Sequence, residues 1–373
     1  MTGRERVNLA LDHKDADRIP RYDAFWDEII DDYKAKLGLP KSASASDMGD
    51  CFGFDMEAFA LDNSMRFDAR VVEESEDNIV INDRCGYTAF KHKNQPLSKF
   101  YNHVNTDYEK WQSIKHRFSL DKSDVSRVDI NGFFLRTSPV PSWEEAARVF
   151  KEEYKKDKFL MIQGYGVFEG TWRHRGYENL LMDMVSEEAY THEMFPAIID
   201  LTIETLEYAM SLGIKPDGFL LVDDHGSTRA PLFSPETYRK MVFPYHRRFG
   251  DFLHKNSIRY LLHSCGDISA FIPCFIEAGI EAIQPLQANT TLDVRKLKKE
   301  YGKNITLWGN ISVVEISNGY DAIEREIAAK VPVAMAGGGY IYHSDHSISP
   351  DVPFECYQYV IKMLDKYGAY KNC

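Results

Sequence analysis

From about residue 158 onward the chain repeats one pattern, in which a short apolar run is followed by a longer stretch of helical periodicity. That alternation marks βα units, whose parallel strands are joined by crossover helices. The runs predict strands at 159–164, 218–223, 259–265, 282–286, 305–309 and 333–338. The stretches between and after them predict helices near 187–212, 235–256, 268–278, 292–301, 320–330 and 353–367. Six units in succession predict an α/β fold, a (β/α)8 barrel. A length of 373 residues suits one such domain, because a barrel takes about 250 residues plus insertions.

Residues 1–155 read as an irregular extension together with the first barrel elements, and 156–373 as the regular units. Short helices are predicted at 4–11 and 25–37. Residues 69–90 alternate like a β-hairpin, with Glu76-Asp77-Asn78 and Cys85-Gly86 as turn material. The charged segment 95–142 reads as loops and short helices over the outside or one end of the barrel. Ser234-Pro235-Glu236 predicts a helix N-cap followed by proline at the first helical position, and Ser349-Pro350-Asp351 predicts a second.

Function enters at the strand ends. The apolar runs lead into Gln163 and Tyr165, Asp223-Asp224-His225, His263-Ser264-Cys265, Gln284 and Gln287, Trp308 and Asn310, and His343-Ser344-Asp345-His346. In a parallel barrel these ends converge on one face, so residues remote in sequence surround one pocket. Composition removes other classes. A formal charge of −12 repels nucleic acid and anionic membrane alike. The polar amphipathic start and the lack of any long apolar run predict a cytoplasmic protein. Six scattered cysteines without a CxxC pair argue against a disulfide framework or a four-cysteine zinc module; Cys274 and Cys356 read as helical core.

His263 and Cys265 lie two apart on a predicted strand, so both side chains point to one side. Imidazole plus thiolate suits a catalytic zinc, which uses about three protein ligands and keeps one position open. Gly266 allows a sharp turn beside the metal. The third donor must come from another strand end. His346, in the histidine-rich turn after Gly337-Gly338-Gly339, is the first choice. His343 competes with it, and Asp223, Asp224 or Asp345 could supply an oxygen. The ordinary alternative is a hydrogen-bonded core histidine beside a buried thiol.

The segments RERVNLALDHKDADRIP, GVFEGTWRHRGYENLLMDM, HSCGDISAFIPCFIEAGIEAIQPLQ, LWGNIS and GGGYIYHSDHSISPDVPFE together resemble the uroporphyrinogen decarboxylase superfamily over nearly the whole chain. That superfamily includes metal-free porphyrinogen decarboxylases and zinc methyltransferases that exchange methyl groups with corrinoid proteins. The arginine-rich MRQAGRY motif of the decarboxylases is replaced here by RYDAFWDEII. The HxC pair resembles the zinc motif of the methylcobamide:thiol methyltransferases. In those relatives a cysteine four residues before a proline is the third ligand, and here His346 stands four before Pro350.

The resemblance implies a zinc-dependent methyltransferase that moves a methyl group between a small ether, amine or thiol and a separate, transiently docked corrinoid protein carrying methylcobamide. It implies His263, Cys265 and His346 as zinc ligands. Asp223 or Asp224 would orient a ligand or supply a proton, and Tyr165, Gln163, Gln284, Trp308 and His343 would line the substrate pocket. Arg173, with His174 and Arg175, would form a basic patch facing a corrinoid phosphate or an acidic partner. Two rivals remain at this level. A tetrapyrrole decarboxylase would need Arg173, Arg175 and Arg229 to bind acetates, and a non-catalytic corrinoid- or metal-binding accessory protein would close its metal with four ligands.

Overall fold

The computed structural model describes residues 1–93, 98–130 and 140–370. Its strands are β1 (Met56–Leu61), β2 (Arg70–Glu74), β3 (Asn78–Asn82), β4 (Thr88–His92), β5 (Ser98–Tyr101), β6 (Val128–Asp129), β7 (Phe159–Tyr165), β8 (Gly218–Val222), β9 (Arg259–His263), β10 (Ala282–Gln284), β11 (Thr306–Trp308) and β12 (Tyr340–Ile341). The main sheet runs β12-β11-β10-β9-β8-β7-β1-β6, parallel throughout except for β6.

Residues 20–22 close this sheet into a barrel. Tyr342 N donates to Pro20 O at 2.9 Å and Tyr22 N to Tyr342 O at 3.2 Å, which joins the stave to the end of β12. On the other side Asp55 N donates to Arg21 O at 2.9 Å, just before β1. Three residues carry no readable periodicity, so this stave is invisible in the sequence. Asp55 holds the junction: its buried carboxylate accepts from Arg6 Nη1 at 2.5 Å, Arg18 Nη1 at 2.7 Å and Arg21 N at 2.8 Å.

The barrel interior follows from period two. Phe159, Met161, Leu220, Leu261, Ala282, Trp308 and Ile341 form one buried cluster inside the staves. Val7, Ala10 and Leu11 of the helix Gly3–Leu11 join it and plug the amino-terminal end. The alternate residues Leu160, Ile162, Phe219, Leu221, Leu262, Ile283 and Leu307 face the surrounding helices. Stepping two residues along each inward row reaches Gln163 and Tyr165, Val222, His263, Gln284 and His343.

The hairpin expected at 69–90 is the first half of a four-stranded antiparallel meander, β2-β3-β4-β5, so part of segment 95–142 is strand rather than loop. Residues 94–97 and 131–139 of that region, and Cys373, lie outside the described residues. The strand expected at 333–338 is corrected. Val331, Ala334 and Met335 are the buried side of the helix Tyr320–Met335, and the glycines that follow sit at φ of +71°, +75° and +70°, which no strand adopts. Ser234 caps its helix, accepting from Thr237 N at 3.0 Å, whereas Ser349 opens only a turn and the last helix starts at Phe354. Among the described residues no helix is long and apolar enough to cross a membrane.

Asp55→Asn removes a charge from beneath Arg6 and Arg18. Breaking a buried pair on one side costs about 3–5 kcal/mol, so urea unfolding should show a loss of about 3 kcal/mol. A change below about 1 kcal/mol would mean that the junction does not depend on this carboxylate.

Candidate metal centre at the barrel mouth

One register row crosses the mouth: Tyr165 pairs with Val222, Val222 with His263, and His263 with Gln284. His263 is the last residue of β9, and the chain turns immediately beyond it at Gly266, whose φ is +79°. A Cβ there would lie 2.2 Å from the Gly226 carbonyl carbon, so only glycine lets the turn pack this closely against the β8 loop. Cys265 sits inside that turn, and its backbone N donates to Asp224 Oδ1 at 2.8 Å.

The outcome is a trio of His263, Cys265 and Asp224 whose donor atoms all lie within 4.8 Å of one another. Cys265 Sγ is 3.4 Å from His263 Nε2, and Asp224 Oδ1 is 3.5 Å from that same nitrogen. Tetrahedral zinc with ordinary bond lengths sets neighbouring N, S and O ligands about 3.4–3.6 Å apart. The two distances from His263 Nε2 match those edges, and the third pair of donors lies within 4.8 Å. Burial pushes the Cys265 thiol up, and the carboxylates of Asp224, Glu169 and Asp345 push it further. A cluster this negative gains most from a cation, and an imidazole, a thiolate and a carboxylate together suit zinc.

His346, the first choice for third ligand in the sequence, is exposed and rests against Trp26, with ring centroids 6.1 Å apart. It is outside the trio, and Asp224 stands in that place. Asp345 is committed elsewhere, accepting from Ala288 N at 3.0 Å and Val313 N at 2.8 Å.

Asp223 is adjacent to Asp224 in sequence but points the other way and is fully buried. Its Oδ2 accepts from His246 Nε2 at 2.9 Å and His225 Nε2 at 3.1 Å. A π-helical turn, Tyr238–Val242, precedes His246, and Tyr238 hydroxyl pairs with His246 Nδ1 at 2.9 Å. Asp223 Oδ1 accepts from Glu169 N at 2.7 Å in the first turn of the helix Val167–Arg175. Of the pair expected to orient a ligand or supply a proton, Asp223 is buried away from the trio and anchors this helix.

That helix carries residues the sequence reading passed over. Glu169 is buried, accepting from Arg173 Nη2 at 2.6 Å and Trp172 Nε1 at 2.8 Å. Burial pushes its carboxyl up, and Asp224 and Asp223 add to the rise against the pull of Arg173. Its only sequence signal was an acid in the first helical turn after a barrel strand. The basic patch expected at 173–175 does not form. Arg173 is buried with its guanidinium 3.9 Å from the Tyr165 ring centre, His174 stacks on Trp111, and Arg175 pairs with Asp183 at 2.6 Å.

Tyr165 is buried, with burial raising its phenol well above the usual value. Gln163 is half-buried one pair nearer the barrel centre, opposite Leu220 and Ala60. Trp308 does not line the pocket. It is fully buried in the interior cluster, its indole N–H without a partner. His343 is buried beside it, with ring centroids 6.0 Å apart. Gln284 joins the two histidines: its Oε1 accepts from His263 Nδ1, and its Nε2 is 3.0 Å from His343 Nε2. A cavity of about 950 Å³ opens at the opposite end, beside Asp217, Ser257 and Arg259 at the starts of β8 and β9.

The family description Uroporphyrinogen decarboxylase (URO-D) matches residues 122–367. The chain belongs to the uroporphyrinogen decarboxylase family. It is similar to the methylated-thiol–coenzyme M methyltransferase of Methanosarcina mazei, at 26% identity over 141 residues, 38% of this chain and 35% of that protein. The match thus spans about a third of the relative's length. A solved structure of a methyltransferase from Methanosarcina mazei superposes over 98% of this chain and 99% of its own, with a TM-score of 0.68 at 14% identity, a likeness of fold.

Gly166 lets Asp223 reach the helix. A Cβ at Gly166 would lie 2.3 Å from Asp223 Cγ, so Gly166→Ala should destabilise the protein by about 1–3 kcal/mol as an overpacked core. Guanidinium unfolding of the variant measures it, and a neutral result would show that Asp223 moves aside freely.

Proposed function

We propose that this protein is a zinc-dependent methyltransferase that exchanges a methyl group between a small methylated ether, amine or thiol and a separate corrinoid protein. The observation that carries the proposal is the trio of His263, Cys265 and Asp224, three metal-ligating donors within 4.8 Å of one another on the face where barrel chemistry takes place. The likeness to two methyltransferases supports the same branch of the family.

Zinc held there would act as a Lewis acid on the substrate's oxygen, nitrogen or sulfur. The chain supplies three ligands and leaves the fourth position to the substrate. Tyr165 shares the mouth row with His263, across Val222, and Gln163 lies one row deeper; both would face the substrate from β7. Glu169, fixed by Arg173 and Trp172, adds a buried carboxylate to the charge around Asp224 and Cys265. The corrinoid protein would dock over the open mouth, where the strand ends face outward.

The decarboxylase reading loses support from the arginines. Of its three arginines, Arg173 and Arg175 are bound to internal carboxylates and only Arg229 is exposed.

Protein purified without chelator should contain about one zinc per chain. Cys265→Ser and Asp224→Asn should each lose most of it, while His346→Ala should keep it; loss in His346→Ala would give the third position to that histidine. Methyl transfer to cob(I)alamin, assayed with methoxylated aromatics, methylamines and methylthiols, should disappear with the metal. A metal-free wild type, or transfer unchanged in Cys265→Ser, would overturn the proposal.

A further inference from the structure

We infer that Gln284, held by His343, is a positioning residue that fixes the tautomer of His263, so that Nε2 presents a bare lone pair to the metal trio. The inference rests on the reading of His263 as a ligand. It starts from a group whose role cannot change, the backbone carbonyl of Ser344.

A carbonyl only accepts. His343 Nδ1 is hydrogen-bonded to Ser344 O and lies 3.5 Å from Asp23 Oδ1, a second acceptor. The proton of His343 therefore sits on Nδ1, which leaves Nε2 as an acceptor. Burial lowers the His343 pKa, in keeping with a neutral ring. The Gln284 atom 3.0 Å from that nitrogen must then be the amide NH₂. Gln284 Oε1 consequently faces His263 Nδ1, and an oxygen there demands that Nδ1 carry the proton. Nε2 is left bare. It is the nitrogen that stands 3.4 Å from Cys265 Sγ and 3.5 Å from Asp224 Oδ1.

One force opposes this assignment. Asp224 would favour a proton on Nε2, yet 3.5 Å exceeds the roughly 2.7–2.9 Å of a charge-assisted hydrogen bond. Gln284 Oε1 does make a hydrogen bond with Nδ1, and that bond decides the outcome. Asp23 anchors the far end, buried and accepting from Tyr342 hydroxyl at 3.0 Å, Tyr357 hydroxyl at 3.1 Å and Ser344 Oγ. The chain of bonds thus runs from the first stave, through the β12 and β10 ends, to the β9 ligand. A glutamine can hold it in one direction only while His343 supplies the acceptor.

Two measurements test the inference. In metal-free protein carrying ¹⁵N-labelled histidine, with His263→Asn identifying the signal, His263 should be the Nδ1–H tautomer. In Gln284→Leu and His343→Leu that signal should shift toward a mixture. Zinc affinity, from competition with a chromophoric chelator, should fall about 10–100-fold in Gln284→Leu, the usual effect of removing a partner that orients a ligand. It should recover in part in Gln284→Glu, which keeps the acceptor. An Nε2–H tautomer in the wild type, or affinity within twofold of wild type in Gln284→Leu, would overturn the inference. The tautomer is read without metal, so it stands or falls separately from the proposed activity.

Discussion

Closure of the parallel ladder is the constraint on which the rest depends. All the staves run in one direction, so their carboxyl ends share a face, and side chains two residues apart on each strand point into one space. The weakest stave, residues 20–22, is also the most heavily tied. Asp55 joins its base to two arginines and to the approach of β1, while Asp23, just past its top, collects Tyr342, Tyr357 and Ser344 around a buried carboxylate. Without that short segment the edge of β12 that faces away from β11 would be unpaired, and Asp23 would not hold Ser344 beside His343.

Adjacent aspartates at the end of β8 show how one strand end serves two purposes. Burial alone would raise the Asp223 carboxyl, but His225 and His246 outweigh it and hold the group well below the usual carboxylate range. It stays ionised and inward, a fixed acceptor for the helix behind it. Asp224 has no such partners among the histidines of the core. It bonds the turn that holds Cys265 and meets His263 at the metal trio. Just past the end of β8, neighbouring residues thus face opposite ways, one into the core and one toward His263.

The sequence was most legible where periodicity was long. The regular units from β7 to β11 followed from alternation, whereas Cys265, expected on the same strand as His263, lies in the turn beyond it and still meets that histidine. It was least legible where elements were short or turns decided direction. The stave at 20–22 and strand β1 lay within a region that reads as irregular, and VPVAM at 331–335 carries the same apolar signal whether it ends a helix or makes a strand. The third donor is undecided in the sequence for a related reason: His346 and Asp224 both follow strands, and only the turn geometry brings Asp224 to His263. Gln284 and His343 were placed correctly at the mouth, and nothing in a linear reading shows that they bond one another.

The helix Val167–Arg175 explains why basic residues in a promising segment do not make a binding patch. Its first turn is bound to Asp223 through Glu169 N, and one turn later Arg173 folds back to grip the Glu169 side chain. Arg173 lies between the Tyr165 and Trp172 rings, at 3.9 and 4.6 Å from their centres, where a guanidinium gains from both faces. A buried arginine so placed has little freedom to reach a ligand. Its effect is to hold the Glu169 carboxyl stationary and to oppose the rise that burial imposes on it. The same residues that first suggest an anion site are thus tied up among themselves beside the acidic trio.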